Sequence, residues 1–162
     1  MVLLKKWILA ISFLLIIIIG YVIASFLVGM DYANNEEERA INIAKSEGGL
    51  TTVSDFYLYH GKEVYSVVVG KDKKGVQQVL WIPKDRKDHS IVKKKYSSGV
   101  SKKEITKIVE HSYQPDEIIS IKLGMESKVA LWEVTIKDHK DRLHYYYFDF
   151  LTGESLTKYI GI

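Results

Sequence analysis

The chain of 162 residues contains no cysteine, which removes disulfides, thiolate metal sites and cysteine nucleophiles together. An exported domain built from it must be held by its core alone. No charged side chain occurs from Trp7 to Met30, where the residues are apolar apart from glycine and two serines. Net charge is scarce as well. After residue 30 there are 21 lysines and arginines against 20 aspartates and glutamates, a balance that disfavours a nucleic-acid binder.

Signatures of catalysis are also missing. The histidines are His60, His89, His111, His139 and His144, and none belongs to an H-E-x-x-H zinc motif. There is no G-x-S-x-G, and Ser101-Lys102-Lys103-Glu104 puts glutamate where a serine–lysine pair needs lysine. Asp138-His139-Lys140-Asp141 reads as a solvated hairpin turn rather than a metal cluster. Asp149 and Glu154 are a carboxylate pair suited in type to acid–base work. Asp149, however, precedes Leu151-Thr152-Gly153-Glu154, where an aspartate bonds the turn backbone. No enzyme activity, cofactor or metal is expected.

What is present begins with the apolar run. As a helix, residues 7–30 rise about 36 Å, enough to cross a hydrocarbon core of about 30 Å. Lys5 and Lys6 precede the run, and Asp31, Glu36, Glu37 and Glu38 follow it. By the positive-inside tendency the N-terminus stays in the cytoplasm and the rest is exported. The run is longer than a signal-peptide core and shows no small-x-small cleavage site, so a retained single-pass anchor is expected.

Beyond it, a polar hinge at residues 31–35 leads to an amphipathic helix at 36–46, with Ala40, Ile43 and Ala44 on one side and Gly48-Gly49 as its stop. Strands are predicted at Thr52–Tyr59, Val64–Val69 and Val76–Ile82. A second helix starts at Ser101, which with Glu104 forms a capping box, and ends at Gln114-Pro115. Four strand-like runs follow, Glu117–Leu123, Val129–Ile136, Leu143–Phe150 and Ser155–Ile160. In the second of them Trp132, Val134 and Ile136 alternate with Glu133, Thr135 and Lys137, which predicts one buried face and one wet face.

The two stretches form an internal repeat offset by 65 to 67 residues. Ala40 and Ala44 fall on Ile105 and Val109, Tyr65-Ser66-Val67 on Trp132-Glu133-Val134, and Lys71-Asp72 on Lys137-Asp138. The fold class is therefore α+β. Its expected layout is a cytoplasmic tail at 1–6, a transmembrane helix at 7–30, a hinge at 31–35, a first lobe at 36–95 and a second at 96–162. Each lobe alone would bury little, so the lobes are expected to pack together as a monomeric ectodomain.

Two features point to partners. The segment between the lobes carries Lys84, Arg86, Lys87, Lys93, Lys94, Lys95, Lys102 and Lys103 against Asp85 and Asp88, a net +6, while residues 31–83 sum to −2 and 104–162 to −3. Outside a cell such a segment attracts anionic lipid head groups or anionic wall polymer. The second feature is the aromatic run Tyr145-Tyr146-Tyr147-Phe148, with Phe150. In a strand Tyr145 and Tyr147 face one way and the others face the opposite way, so one set is core and the other is either half covered by the neighbouring lobe or exposed to a partner.

The whole chain, through the anchor, the repeat, Val79-Leu80-Trp81-Ile82-Pro83, Leu131-Trp132-Glu133-Val134 and Tyr147-Phe148-Asp149-Phe150-Leu151-Thr152-Gly153-Glu154, resembles the TseB-like (YpmB-like) cell wall elongation regulators of Gram-positive bacteria. The D-x-x-T-G-E ending is similar to that of the PepSY module, a cystatin-like unit in which a helix packs across an antiparallel sheet. The resemblance implies two tandem cystatin-like lobes and a non-enzymatic, membrane-anchored extracytoplasmic regulator of peptidoglycan elongation. The implied partner is a class B penicillin-binding protein, a transpeptidase. A PepSY-type inhibitor or chaperone of an exported protease is the alternative. Asp149, Thr152, Gly153 and Glu154 are expected to be structural, and Pro83-Lys84-Asp85 replaces that ending in the first lobe.

Overall fold

The computed structural model describes residues 2–87 and 90–160. Asp88 and His89 of the basic connector lie outside the described residues, as do Met1, Gly161 and Ile162. The chain divides into two compact units, one up to Glu36 and one from Glu37 onward.

The first helix, α1 (Val2–Ser46), carries no charged residue between Trp7 and Met30, a stretch within the first unit. Phe13 is 67% exposed, Tyr21 74% and Phe26 67%, with exposed isoleucines and leucines between them. Water penalises such a surface at about 25 cal/mol per Å², whereas lipid does not. The helix is long and apolar enough to span a membrane, with a mean hydropathy of 2.8 in its most apolar stretch. Residues 31–35, expected as a hinge, are helical, so the acidic residues 36–38 are not a first turn. No proline or glycine interrupts 31–46, and extending an existing helix avoids the cost of a new nucleus.

In the second unit two four-stranded antiparallel meanders follow one another. The first sheet contains β1 (Leu50–His60), β2 (Val64–Asp72), β3 (Gln77–Pro83) and β4 (Val92–Lys95), in that spatial order. The second contains β5 (Glu117–Glu126), β6 (Val129–Lys137), β7 (Leu143–Asp149) and β8 (Ser155–Ile160). The end of α1 covers the first sheet through Ala40 and Ala44, which pack with Val68, Leu80 and Ile82. α2 (Lys102–Tyr113) covers the second through Ile105 and Val109, and the Ser101–Glu104 capping box is formed at its start.

The repeat extends to irregularities. A register shift between Val53 and Asp55 in β1 recurs 65 residues later between Ile118 and Ser120 in β5. Each β2–β3-type hairpin also turns on an aspartate. Asp72 accepts from the N–H groups of Lys74 (2.9 Å) and Val76 (3.0 Å), and Asp138 from those of Lys140 (2.9 Å) and Arg142 (3.0 Å). Gln78 donates to the other oxygen of Asp72, and His144, at the matching position, bonds the other oxygen of Asp138, each at 2.9 Å.

Two further expectations need correction. The basic connector contributes a fourth strand to the first sheet, β4, in register Trp81↔Val92 to Gln78↔Lys95. Val-Lys-Lys-Lys has no apolar alternation to announce a strand, but lysines suit an edge because they discourage further pairing. The face of β6 expected to be wet is buried: Glu133 and Thr135 are each 7% exposed. One continuous core joins Tyr59, Val67, Val79 and Trp81 of the first lobe to Leu123, Met125 and Leu131 of the second. The first lobe thus covers the second sheet's free face, and Glu133 is satisfied there by Lys122 at 2.8 Å.

Candidate functional site

The basic connector is not one patch. Arg86 forks onto the Glu47 carboxylate with bonds of 2.8 and 2.6 Å, and the pair lowers the acid's pKa through that hydrogen bond. Lys93 donates to the carbonyl of Gly48 at 2.6 Å, beside the end of α1 where helix carbonyls lack partners. Lys94 and Lys95 sit on the β4 edge, and Lys102 and Lys103 open α2. Lys84 and Lys87 are exposed, with Lys84 bordering a depression of about 530 Å³ beside Lys62 and Pro83.

The tyrosines separate by face. Tyr146 and Phe148 are buried toward α2, with the Tyr146 and Tyr113 rings 3.9 Å apart. Tyr145 and Tyr147 are half-buried on the opposite face. Tyr147 helps line a groove of about 620 Å³ at the junction of the lobes, whereas Tyr145 does not. The groove also draws on Tyr59, Glu126, Leu131, Thr157 and Tyr159. The Tyr147 and Tyr159 rings meet edge to face, 6.0 Å apart at 87°.

Glu126 is held in place: its Oε1 accepts from the Tyr59 hydroxyl at 3.1 Å and from the Lys62 N–H at 3.0 Å. Burial, then the Glu126 charge, pushes the Tyr59 phenol far above its ordinary value. Burial, then Glu133, does the same for Tyr147. Both hydroxyls therefore stay protonated donors across the physiological range. Sequence reasoning named Tyr147 and missed Tyr59, Glu126 and Tyr159. Tyr59 and Glu126 are 67 residues apart, which is the repeat offset but no visible motif.

The D-x-x-T-G-E turn is closed by its own side chains. Asp149 Oδ1 accepts from the N–H groups of Leu151 (2.7 Å) and Thr152 (2.8 Å), and the Thr152 hydroxyl accepts from the Glu154 N–H at 3.2 Å. Gly153 takes a φ of +73°, the left-handed region that glycine enters most easily. The turn also secures the segment that leads into α2, since the Phe150 carbonyl accepts from the Val100 N–H at 2.8 Å and Trp132 Nε1 donates to the Val100 carbonyl at 2.9 Å. Among the described residues no three His, Cys, Asp or Glu side chains converge as metal ligands. Asp138 is occupied by Arg142 and His144.

A helix apolar enough to span a membrane, followed by two helix-on-sheet lobes with a shared core, defines a duplicated α+β protein. At 36% identity over 126 residues, covering 76% of this chain and 78% of the relative, it is similar to the "Probable cell wall elongation regulator TseB" of Bacillus subtilis (strain 168). The chain belongs to the TseB-like cell wall elongation regulator family. The family model, described as a cell wall elongation regulator TseB-like domain, matches residues 39–83, from the end of α1 to the end of β3. Among solved structures, the YpmB protein from Bacillus subtilis is similar at a TM-score of 0.68 and 35% identity, with 75% of this chain and 94% of that chain covered.

Proposed function

We propose that this protein is a single-pass, non-enzymatic regulator of cell wall elongation whose exported lobes bind a class B penicillin-binding protein. The observation that carries this reading is the 36% identity to a probable elongation regulator over a span too long to fall within either lobe. The exposed apolar helix supports anchoring, and the charges around it, Lys5 and Lys6 before and Asp31 and Glu36 after, support an N-terminus in the cytoplasm. Anchoring confines protein and partner to one plane and raises their effective concentration, so a modest interface suffices. The contact residues are drawn from Lys84, Lys87, Lys94 and Lys95 and from Tyr145 and Tyr147. The same lysines attract anionic wall polymer or lipid head groups.

Photo-crosslinking in cells from positions 95 and 145 of the full chain tests this. Recovery of a transpeptidase, with shorter cells and slower wall incorporation after deletion, is expected. Recovery of no transpeptidase together with unchanged cell length overturns it. A form cleaved after the anchor is expected to fold and to fail in the same assay.

A further inference from the structure

The groove at the lobe junction has a chemistry of its own, beyond the binding of a transpeptidase. Its volume of about 620 Å³ falls in the range of about 300–1,000 Å³ typical of small-ligand sites. Both repeats build it, with Tyr59 and Lys62 from the first and Glu126, Leu131, Tyr147 and Tyr159 from the second. Among the described residues one carboxylate, Glu126, and one ammonium, Lys62, line it, so their charges balance. That balance disfavours a strongly anionic or cationic occupant.

The lining is amphipathic at the scale of a single ring. Tyr147 and Tyr159 form a right-angled aromatic corner, and Tyr159 is 55% exposed. Hydrogen-bonding groups stand beside it: the Thr157 and Ser127 hydroxyls, His60 and the Glu126 carboxylate. Among the described residues both bonds to Glu126 fall on Oε1, which leaves Oε2 as an acceptor on a side chain already fixed in place. A pre-ordered acceptor loses little entropy on binding.

A pyranose ring matches this pattern. It presents a C–H face that packs on an aromatic ring and a rim of hydroxyls that donate to a carboxylate. We propose that this groove binds the pyranose rings of a neutral polysaccharide chain, with Tyr159 and Tyr147 as the stacking corner and Glu126 as the hydroxyl acceptor.

Calorimetric titration of the full chain, in a detergent without a sugar head group, with cellotetraose and with chitotetraose tests the inference. Saturable binding of at least one saccharide with a Kd of roughly 1 mM is expected. Tyr159→Ala should weaken it by about three- to ten-fold, and Tyr159→Phe should restore it, since the ring and not the hydroxyl stacks. Glu126→Gln should weaken it as well. Because Tyr159 is exposed, the melting temperature of Tyr159→Ala should match that of the parent, which separates lost contact from lost fold. No saturable binding by either saccharide, or equal binding by Tyr159→Ala, overturns the inference; so does binding of an extended peptide along β8 when both saccharides are silent. Transpeptidase recovery is read on the same variants. A groove silent to saccharide in a protein that still recovers the transpeptidase sinks this inference alone, and the converse sinks the proposed function alone.

Discussion

The indole N–H of Trp81, on β3 of the first lobe, donates to the carbonyl of Gly124, on β5 of the second, at 2.7 Å. The bond is buried and joins residues 43 positions apart. It caps a carbonyl on an edge strand of the second sheet, which water would otherwise have to reach. Trp81 also meets Phe150 edge to face at 5.4 Å, so one side chain ties the first lobe both to β5 and to the turn that follows β7.

Trp81→Phe removes that donor and leaves the carbonyl buried without it. A loss of about 1–3 kcal/mol is expected, read as a lower midpoint in urea unfolding. A midpoint equal to that of the parent would show that the lobes do not depend on this bond.

Gly124→Ala places a methyl group against the ring of Tyr59, too close for either to stay where it is. Overpacking of this kind costs about 1–3 kcal/mol. Since Tyr59 also orients Glu126, the variant should disturb the groove, and saccharide titration beside a melting curve would show both effects.

The Asp138 carboxyl is held well below the usual aspartate range, first by the hydrogen bond from Arg142 and then by that from His144. Asp72, in the equivalent turn, is also lowered, chiefly by Gln78. A pKa depressed in the folded state gives stability that is present above the unfolded value of about 3.9 and is lost as pH falls below it toward the folded one. Melting temperature should therefore drop as pH is taken below about 4. Asp138→Asn should lower it at pH 7 and make the acid limb shallower.

The connector cations should divide by role. Arg86→Ala and Lys93→Ala release the connector from the end of α1, so their effect should appear in thermal stability and in proteolysis between residues 84 and 92. Lys94→Ala with Lys95→Ala should leave stability unchanged and reduce crosslinking to the partner. Equal behaviour of the two pairs would contradict this division.

Much of the fold was legible because its signals are local. The capping box at Ser101, the alternation in β7 and the apolar run of α1 each follow from neighbours a few residues apart. The repeat was legible because Lys71-Asp72 and Lys137-Asp138 make the same turn for the same reason, an aspartate that accepts from its own turn backbone. β4 was not legible, because Val92–Lys95 becomes a strand only through pairing with β3. The buried state of Glu133 was hidden as well, since alternation marks a face as polar but cannot show that another lobe covers it.

By itself the sequence determined a helix long and apolar enough to span a membrane, the duplicated α+β lobes and the self-bonded turns, all of which depend on hydrophobic period and local backbone chemistry. The tertiary structure alone decided that Arg86 and Lys93 serve the end of α1, that Trp81 joins the lobes, and that Tyr59, Glu126, Tyr147 and Tyr159 share one groove. Those relationships bring together groups up to about a hundred residues apart in the chain. Trp81 and the groove residues come together where two sheets bury a shared face, and no periodicity within either sheet specifies that contact.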